Sequence, residues 1–159
     1  MRPYKFGLTE HDPARAFAGF TIFSPSDGSE TFLIDMAGEV VHKWILPQQL
    51  GNYAQLMPNG NLLVSCATGE GPKLQAAGGR ILELDWNGNL IWEHVDDLQH
   101  HDFNRCPNGN TVYLAWELIP TEKASGIIGG KLGSEHQDGG IYCDVVREVN
   151  PNGELVFEW

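Results

Sequence analysis

The tetrapeptide PNGN occurs twice, at Pro58–Asn61 and at Pro107–Asn110, with Gly60 and Gly109 49 positions apart. A second turn type alternates with it: Asn87-Gly88, with relatives at Ala37-Gly38 and Asn152-Gly153. Two turn types that alternate along a chain mark a repeated supersecondary unit. Such a unit limits the fold more than any local propensity does.

Aligned on its glycines, the second type gives ILELDW-NG-NLIWEH at 81–94, FLIDM-AG-EVVHKW at 32–44 and VREVN-PNG-ELVFEW at 146–159. Each joins two alternating apolar runs across a tight turn, and the glycine supplies the positive φ that such turns need. The PNGN copies give NYAQLM-PNGN-LLVSC at 52–66 and HDFNRC-PNGN-TVYLAW at 101–116. Here Pro opens the turn and Gly completes it. Trp44, Trp92 and Phe157 lie six, four and four residues past their glycines. Even offsets predict that all three share one face of their strands.

One unit is therefore two hairpins, or four strands. Units of about 40–50 residues that end on an aromatic strand are the sequence form of β-propeller blades. The predicted fold class is all-β, a partial β-propeller of about two and two-thirds four-stranded blades in a single domain. Residues 1–18 read as an N-terminal extension, 19–45 as a partial blade, 52–94 as a blade and 101–159 as a blade with an inserted loop at 117–141. That insertion is rich in glycine and has no periodicity, and loops of such length tend to be functional or disordered. Propellers close with about four to eight blades. The chain is thus expected to be a piece of a longer propeller, or to self-associate through its open blade faces, with the first alternative favoured.

Lys and Arg number 10 against 21 Asp and Glu, a formal charge of −11. Such a surface repels phosphate backbones and argues against nucleic acid as a partner. The 19 Gly and 9 Pro suit an all-β chain with many turns. Cys66, Cys106 and Cys143 are odd in number and form no CxxC pair, so they read as isolated core or strand thiols, with a reducing compartment favoured. No segment has the ~20 apolar residues of a membrane helix. No signal-peptide run opens the chain, so either it is not exported or its leader is missing, and a cytoplasmic location is favoured.

The cluster His100-His101-Asp102 opens the first strand of a predicted blade. In a propeller that strand lies nearest the axis, facing the central channel. Regular alternation puts His100 and Asp102 on one face and His101 on the other. The previous blade has Gly51, Asn52 and Tyr53 at these positions, so the pair of imidazoles departs from the repeat. Titratable groups added where a channel lies point to function. His136 sits in the insertion, with Glu135, Asp138, Tyr142, Asp144 and Arg147 forming a polar approach to the third strand. Arg147 reads either as a fork donor to an anionic or phenolic group or as the partner of Glu148 or Glu158. Arg105 reads as exposed, and His11, His42 and His94 as structural. His100, Asp102 and His136 match no known metal-ligand spacing, so no metal is assigned.

GFTIFSPSDGSETFLIDMAGEVVHKW, the paired PNGN turns, GGRILELDWNGNLIWEH, QHHDFNRCPNGNTVYLAW and YCDVVREVNPNGELVFEW together resemble the arylsulfotransferase family of propeller proteins. The resemblance begins near Gly19 and corresponds to an N-terminal portion. It implies PAPS-independent transfer of a sulfuryl group between small phenolic sulfate esters and phenols, with no cofactor. A channel histidine takes the sulfuryl group, and other His and Arg side chains bind its oxygens. It further implies that His100 or His101 is a sulfuryl-binding or acid–base residue, with Asp102, His136 and Arg147 as candidates for the same pocket. The isolated chain is expected to be inactive or nearly so. Two other readings stand beside this one: a non-catalytic propeller that binds a ligand or protein at its channel face, and a quinoprotein-like dehydrogenase.

Overall fold

A computed structural model describes residues 7–128 and 139–159. Among the described residues the structure is all-β apart from one helical turn. Three antiparallel sheets follow one another in sequence. The first holds β1 (Thr21–Phe23), β2 (Glu30–Ile34) and β3 (Val40–Ile45). The second runs β4 (Leu50–Leu56), β5 (Leu62–Ala67), β6 (Gly79–Leu84) and β7 (Leu90–Val95). The third runs β8 (Gln99–Arg105), β9 (Thr111–Ile119), β10 (Ile141–Val149) and β11 (Leu155–Glu158), with α1 (Thr121–Ala124) between β9 and β10. Each sheet is an up-and-down meander, so every strand pairs with its sequence neighbour.

The turns explain why. At Asp35, Asp85 and Asn150 a side-chain Oδ1 accepts the N–H groups two and four residues on. The glycine three residues on then takes φ near +82° in all three copies: 82, 83 and 82. Both PNGN turns repeat their own pattern, with Gly60 and Gly109 at φ 85 and 88. Asn61 donates to Glu83 in the third strand of its sheet at 2.7 Å, and Asn110 to Glu148 at 2.5 Å. The repeat is therefore one of side-chain bonds as well as turns.

Two apolar clusters fill the spaces between sheets. Leu33, Trp44 and Leu46 of the first sheet pack on Leu62, Val64, Cys66, Leu82 and Leu84 of the second. Leu63 and Ile81, on the opposite face of the second sheet, pack on Phe103, Tyr113, Ala115, Val145 and Val149 of the third. This is why β5 and β6 read as continuous buried runs rather than alternating ones.

Several expectations need correction. The sheets begin at Leu50 and Gln99, two residues before the expected bounds of 52 and 101. The expected loop at 117–141 is partly regular: β9 continues to Ile119, α1 follows, and β10 starts at Ile141. Ile141 and Ile119 pair directly, so the long hairpin carries the excursion on extended strands. Arg105 is not on an open surface. Its guanidinium lies 4.3 Å over the Trp92 ring and pairs with Glu83 at 2.9 Å. Trp44 and Trp92 both turn toward the following sheet, whereas Phe157 stays half exposed.

Candidate functional site

β8 starts where the third sheet meets the loop before β6. Gly78 N–H donates to Gln99 O at 3.0 Å, and His101 N–H donates to Ala76 O at 3.0 Å. The strand cannot stay regular while held this way. Its register jumps between His100, opposite Leu114, and Phe103, opposite Tyr113. His101 and Asp102 are the extra residues of this bulge. The same jump occurs between Leu50 and Ala54 in β4, so the bulge belongs to the repeat. His101 takes φ 49 and its partner Ala76 takes φ 62, both in the left-handed region that costs non-glycine residues free energy.

The bulge overturns the alternation argument. His100 is 2% exposed, His101 and Asp102 are exposed, and Phe103 is buried again. His100 and Asp102 do not share a face. The two imidazoles instead meet: His100 Nδ1 lies 2.8 Å from His101 Nδ1. His100 also stacks on Trp116 at 4.3 Å between centroids and 19° between planes. Its Nε2 is buried without a hydrogen-bond partner among the described residues, and the Asp144 carboxylate lies 3.3 Å away.

The 2.8 Å contact requires one Nδ1 to donate and the other to accept. Burial holds His100 below the ordinary imidazole range, against the opposing pull of Asp144 and of a hydrogen bond to the Ala115 backbone. A neutral imidazole carries one N–H, and one arrangement of the pair puts that of His100 on Nε2, toward the Asp144 carboxylate 3.3 Å away, with Nδ1 as the acceptor. In that arrangement His101 Nδ1–H is the donor to His100 Nδ1. When His101 is the donor, Nε2 is its remaining ring nitrogen, on an exposed side chain.

The other expected site residues lie elsewhere. Asp102 caps the bulge, its Oδ1 accepting the Phe103 N–H at 2.8 Å. Arg147 spans the junction of the second and third sheets, donating to Asp96 at 2.9 Å and to Glu158 at 2.7 Å. It stands three residues from Asp144 on β10, which puts it on the opposite face and about 10 Å along the strand. His136 lies outside the described residues. Trp116, Gln99 and Ala76 gave no chemical signal in the sequence, since each acts through position. Gln99 is buried and its Oε1 accepts Ser65 Oγ–H at 2.8 Å and Gly79 N–H at 3.1 Å. Gly78 is required there, because a Cβ would fall 2.0 Å from that oxygen.

His42 stacks on Trp86 of the next sheet at 3.8 Å, and His94 meets the Tyr113 hydroxyl at 3.1 Å. Among the described residues no three His, Cys, Asp or Glu side chains converge as a metal site would require. Among the described residues no helix is long and apolar enough to cross a membrane.

No protein-family model matches the chain, and no curated protein does. A solved structure does: the crystal structure of a protein of unknown function from Bacteroides caccae, at 20% identity and a TM-score of 0.50. The match covers 89% of this chain and 42% of that one, so the chain spans less than half of that neighbour's length. At this identity the likeness speaks to the fold alone.

Proposed function

We propose that the three sheets are consecutive blades of a β-propeller, and that the imidazole pair at the start of β8 is a group-transfer site for sulfuryl esters of phenols. The order of contacts supports the architecture, since the first strands of neighbouring sheets pack together, β1 on β4 and β4 on β8. One observation carries the chemistry: Asp144, His100 and His101 stand in series, and the reading takes the His100 proton on Nε2 so that His101 keeps an exposed lone pair on its own Nε2.

In this reading His101 Nε2 attacks the sulfur of an aryl sulfate. An N–S bond forms, the S–O bond to the aryl group breaks, and the phenolate leaves with the electron pair to take a proton from solvent. A second phenol then gives its proton to solvent and reverses the step. His100 and Asp144 touch no reacting atom. They position the lone pair and spread the positive charge that develops on His101 as the bond forms. Asp102 belongs to the bulge that aims His101.

The test needs no turnover. The chain is incubated with a nitrophenyl sulfate, and its peptides are mapped by mass. The reading expects one SO3 group on the peptide holding His101, released with a stoichiometric burst of nitrophenolate. It also expects loss of both with His101→Ala and a much slower burst with His100→Phe. A chain that never acquires the group, or acquires it elsewhere, overturns the assignment.

A second reading is favoured by the arginines. Arg105 and Arg147 are both committed to pairs that join sheets, so neither is free to hold sulfuryl oxygens. A propeller that only binds a ligand at this face would show saturable binding of a phenol without any adduct.

A further inference from the structure

His101 departs from the strand it belongs to. Neighbouring side chains in an extended strand point to opposite faces, so adjacent imidazoles in a regular β8 could not touch. They touch where His101 turns into the left-handed region at φ 49, with its Nδ1 2.8 Å from His100 Nδ1. The bulge alone does not demand this turn. β4 has the same register jump, with Ala54 opposite Val64 as Phe103 is opposite Tyr113, so Asn52 holds the place of His101. Asn52 keeps a negative φ, although asparagine is among the residues that tolerate the left-handed region best.

The difference lies in the loop that the preceding sheet sends across. β1 and β2 are joined by six residues, 24–29, whereas β5 and β6 are joined by eleven, 68–78. The short loop meets β4 at Leu50, whose N–H donates to Gly28 O at 2.8 Å. Among the described residues no backbone bond joins that loop to Asn52. The long loop is tied at both ends. Thr68 Oγ1 donates to Asp97 Oδ1 at 2.7 Å, and Gly71 lies so close to Asp97 that a Cβ would fall 1.9 Å from its carbonyl oxygen. At the far end Ala77 bridges His100, with Gly78 N–H on Gln99 O and His101 N–H on Ala76 O. Ala76 takes φ 62 where it presents that carbonyl. Two facing residues, neither of them glycine, thus carry left-handed backbone, and one hydrogen bond joins them.

We infer that the 68–78 loop is a strap that holds the His101 backbone in its left-handed turn and so keeps the two imidazoles in contact, with Ala76 as the positioning residue. His100 needs no such help, since it is 2% exposed and stacked on Trp116. The exposed His101 is the member able to swing away, and the bond from its N–H to Ala76 O is what fixes it. Ala76 touches no reacting atom. The consequence for sulfuryl transfer rests on the reading above, because it takes His101 to react while backed by His100.

Hydrogen exchange and proton NMR on the full chain test the strap without turnover. In the wild type the His101 amide should exchange at least about tenfold more slowly than that of Asn52, its counterpart without a strap. Cross-relaxation should join the ring protons of His100 and His101. Ala76→Val puts a β-branched side chain where φ is positive, so it should release the bond, speed His101 exchange about tenfold and abolish the ring cross-peaks while His100 stays against Trp116. Ala76→Gly accepts the same φ and should keep both signals. A wild-type His101 amide that exchanges as fast as that of Asn52 overturns the strap, and this comparison needs no variant. An amide that stays protected in Ala76→Val overturns the assignment of Ala76, and imidazoles that stay together once the amide is released overturn its positioning role. The nitrophenolate burst keeps the two readings apart. A burst slowed in Ala76→Val and restored in Ala76→Gly supports both, whereas a wild type without any adduct removes the transfer reading and leaves the strap to the exchange rates.

Discussion

Replacing Asp96 with Asn should weaken the fold by about 2–3 kcal/mol, because one carboxylate holds two sheets together. Asp96 directly follows β7 of the second sheet, and its Oδ2 accepts from Arg147 Nη1 and from the Tyr113 hydroxyl of the third, both at 2.9 Å. Its Oδ1 accepts the Leu98 N–H at 3.0 Å. The pair is mostly buried, with side-chain exposures of 18% for Arg147 and 15% for Asp96. Breaking a buried ion pair from one side costs about 3–5 kcal/mol. Arg147 keeps Glu158, and the asparagine oxygen can still accept one bond, so the smaller figure applies. In a domain of this length that is a fall of about 4–12 °C in melting temperature.

The pH dependence follows from the same contacts. Burial pushes the Asp96 carboxyl up, but Arg147, the Leu98 N–H and Tyr113 outweigh it and hold the group below the usual carboxylate range. A depressed acid stabilises the fold above its unfolded value of about 4 and loses that contribution as pH falls through its folded value. Urea unfolding of wild type and Asp96→Asn should therefore differ by the full amount near pH ~7 and converge as pH falls through the lowered folded value. A difference under about 0.5 kcal/mol at neutral pH, the range of an ordinary surface change, would refute the clamp. A difference that does not shrink in acid would refute its electrostatic origin.

Trp44→Phe leaves the Asp85 carbonyl without its cross-sheet donor and should cost about 1–3 kcal/mol in urea unfolding, whereas a neutral result would deny the indole bond any role. Gly51→Ala forces a Cβ to 2.4 Å from Ser65 Oγ and 2.9 Å from Gly78 Cα, so it should destabilise by about 1–3 kcal/mol by overpacking. Burial lowers both His94 and His100, so their contribution is present above the unfolded imidazole value of about 6.5 and lost as pH falls through the folded values. His100→Phe should flatten part of the resulting stability loss in that window. The Cys66 thiol is pushed up to about 11 by burial, so it should resist a thiol reagent in the native state and react only on unfolding.

The turns were legible because their chemistry is local. A positive φ asks for Gly, and an Asx side chain ties the same turn three times, so the hairpins at Gly38, Gly60, Gly88, Gly109 and Gly153 could be read from spacing. The site was legible only as a place. The His pair stood out against Gly51 and Asn52 of the previous unit, but its geometry depends on a bulge set by Ala76 and Gly78, more than twenty positions earlier. An alternation rule assumes a regular strand, so it put Asp102 beside His100 and separated the two imidazoles that touch. The role of Arg147 stayed open in the sequence because its main partner, Asp96, is 51 positions away. Its other partner, Glu158, was among the pairs the sequence offered.

The claim on which the account turns is that the imidazole pair leaves its lone pair on His101 Nε2. Nitrogen-15 NMR of the side chains at neutral pH reads this directly, since protonated and lone-pair ring nitrogens resonate far apart. The account predicts that His100 carries its proton on Nε2, and that His101 carries its proton on Nδ1 with a lone-pair signal at Nε2. A proton on His101 Nε2 with the lone pair facing His100 would contradict it, and the nucleophile would have to be sought elsewhere.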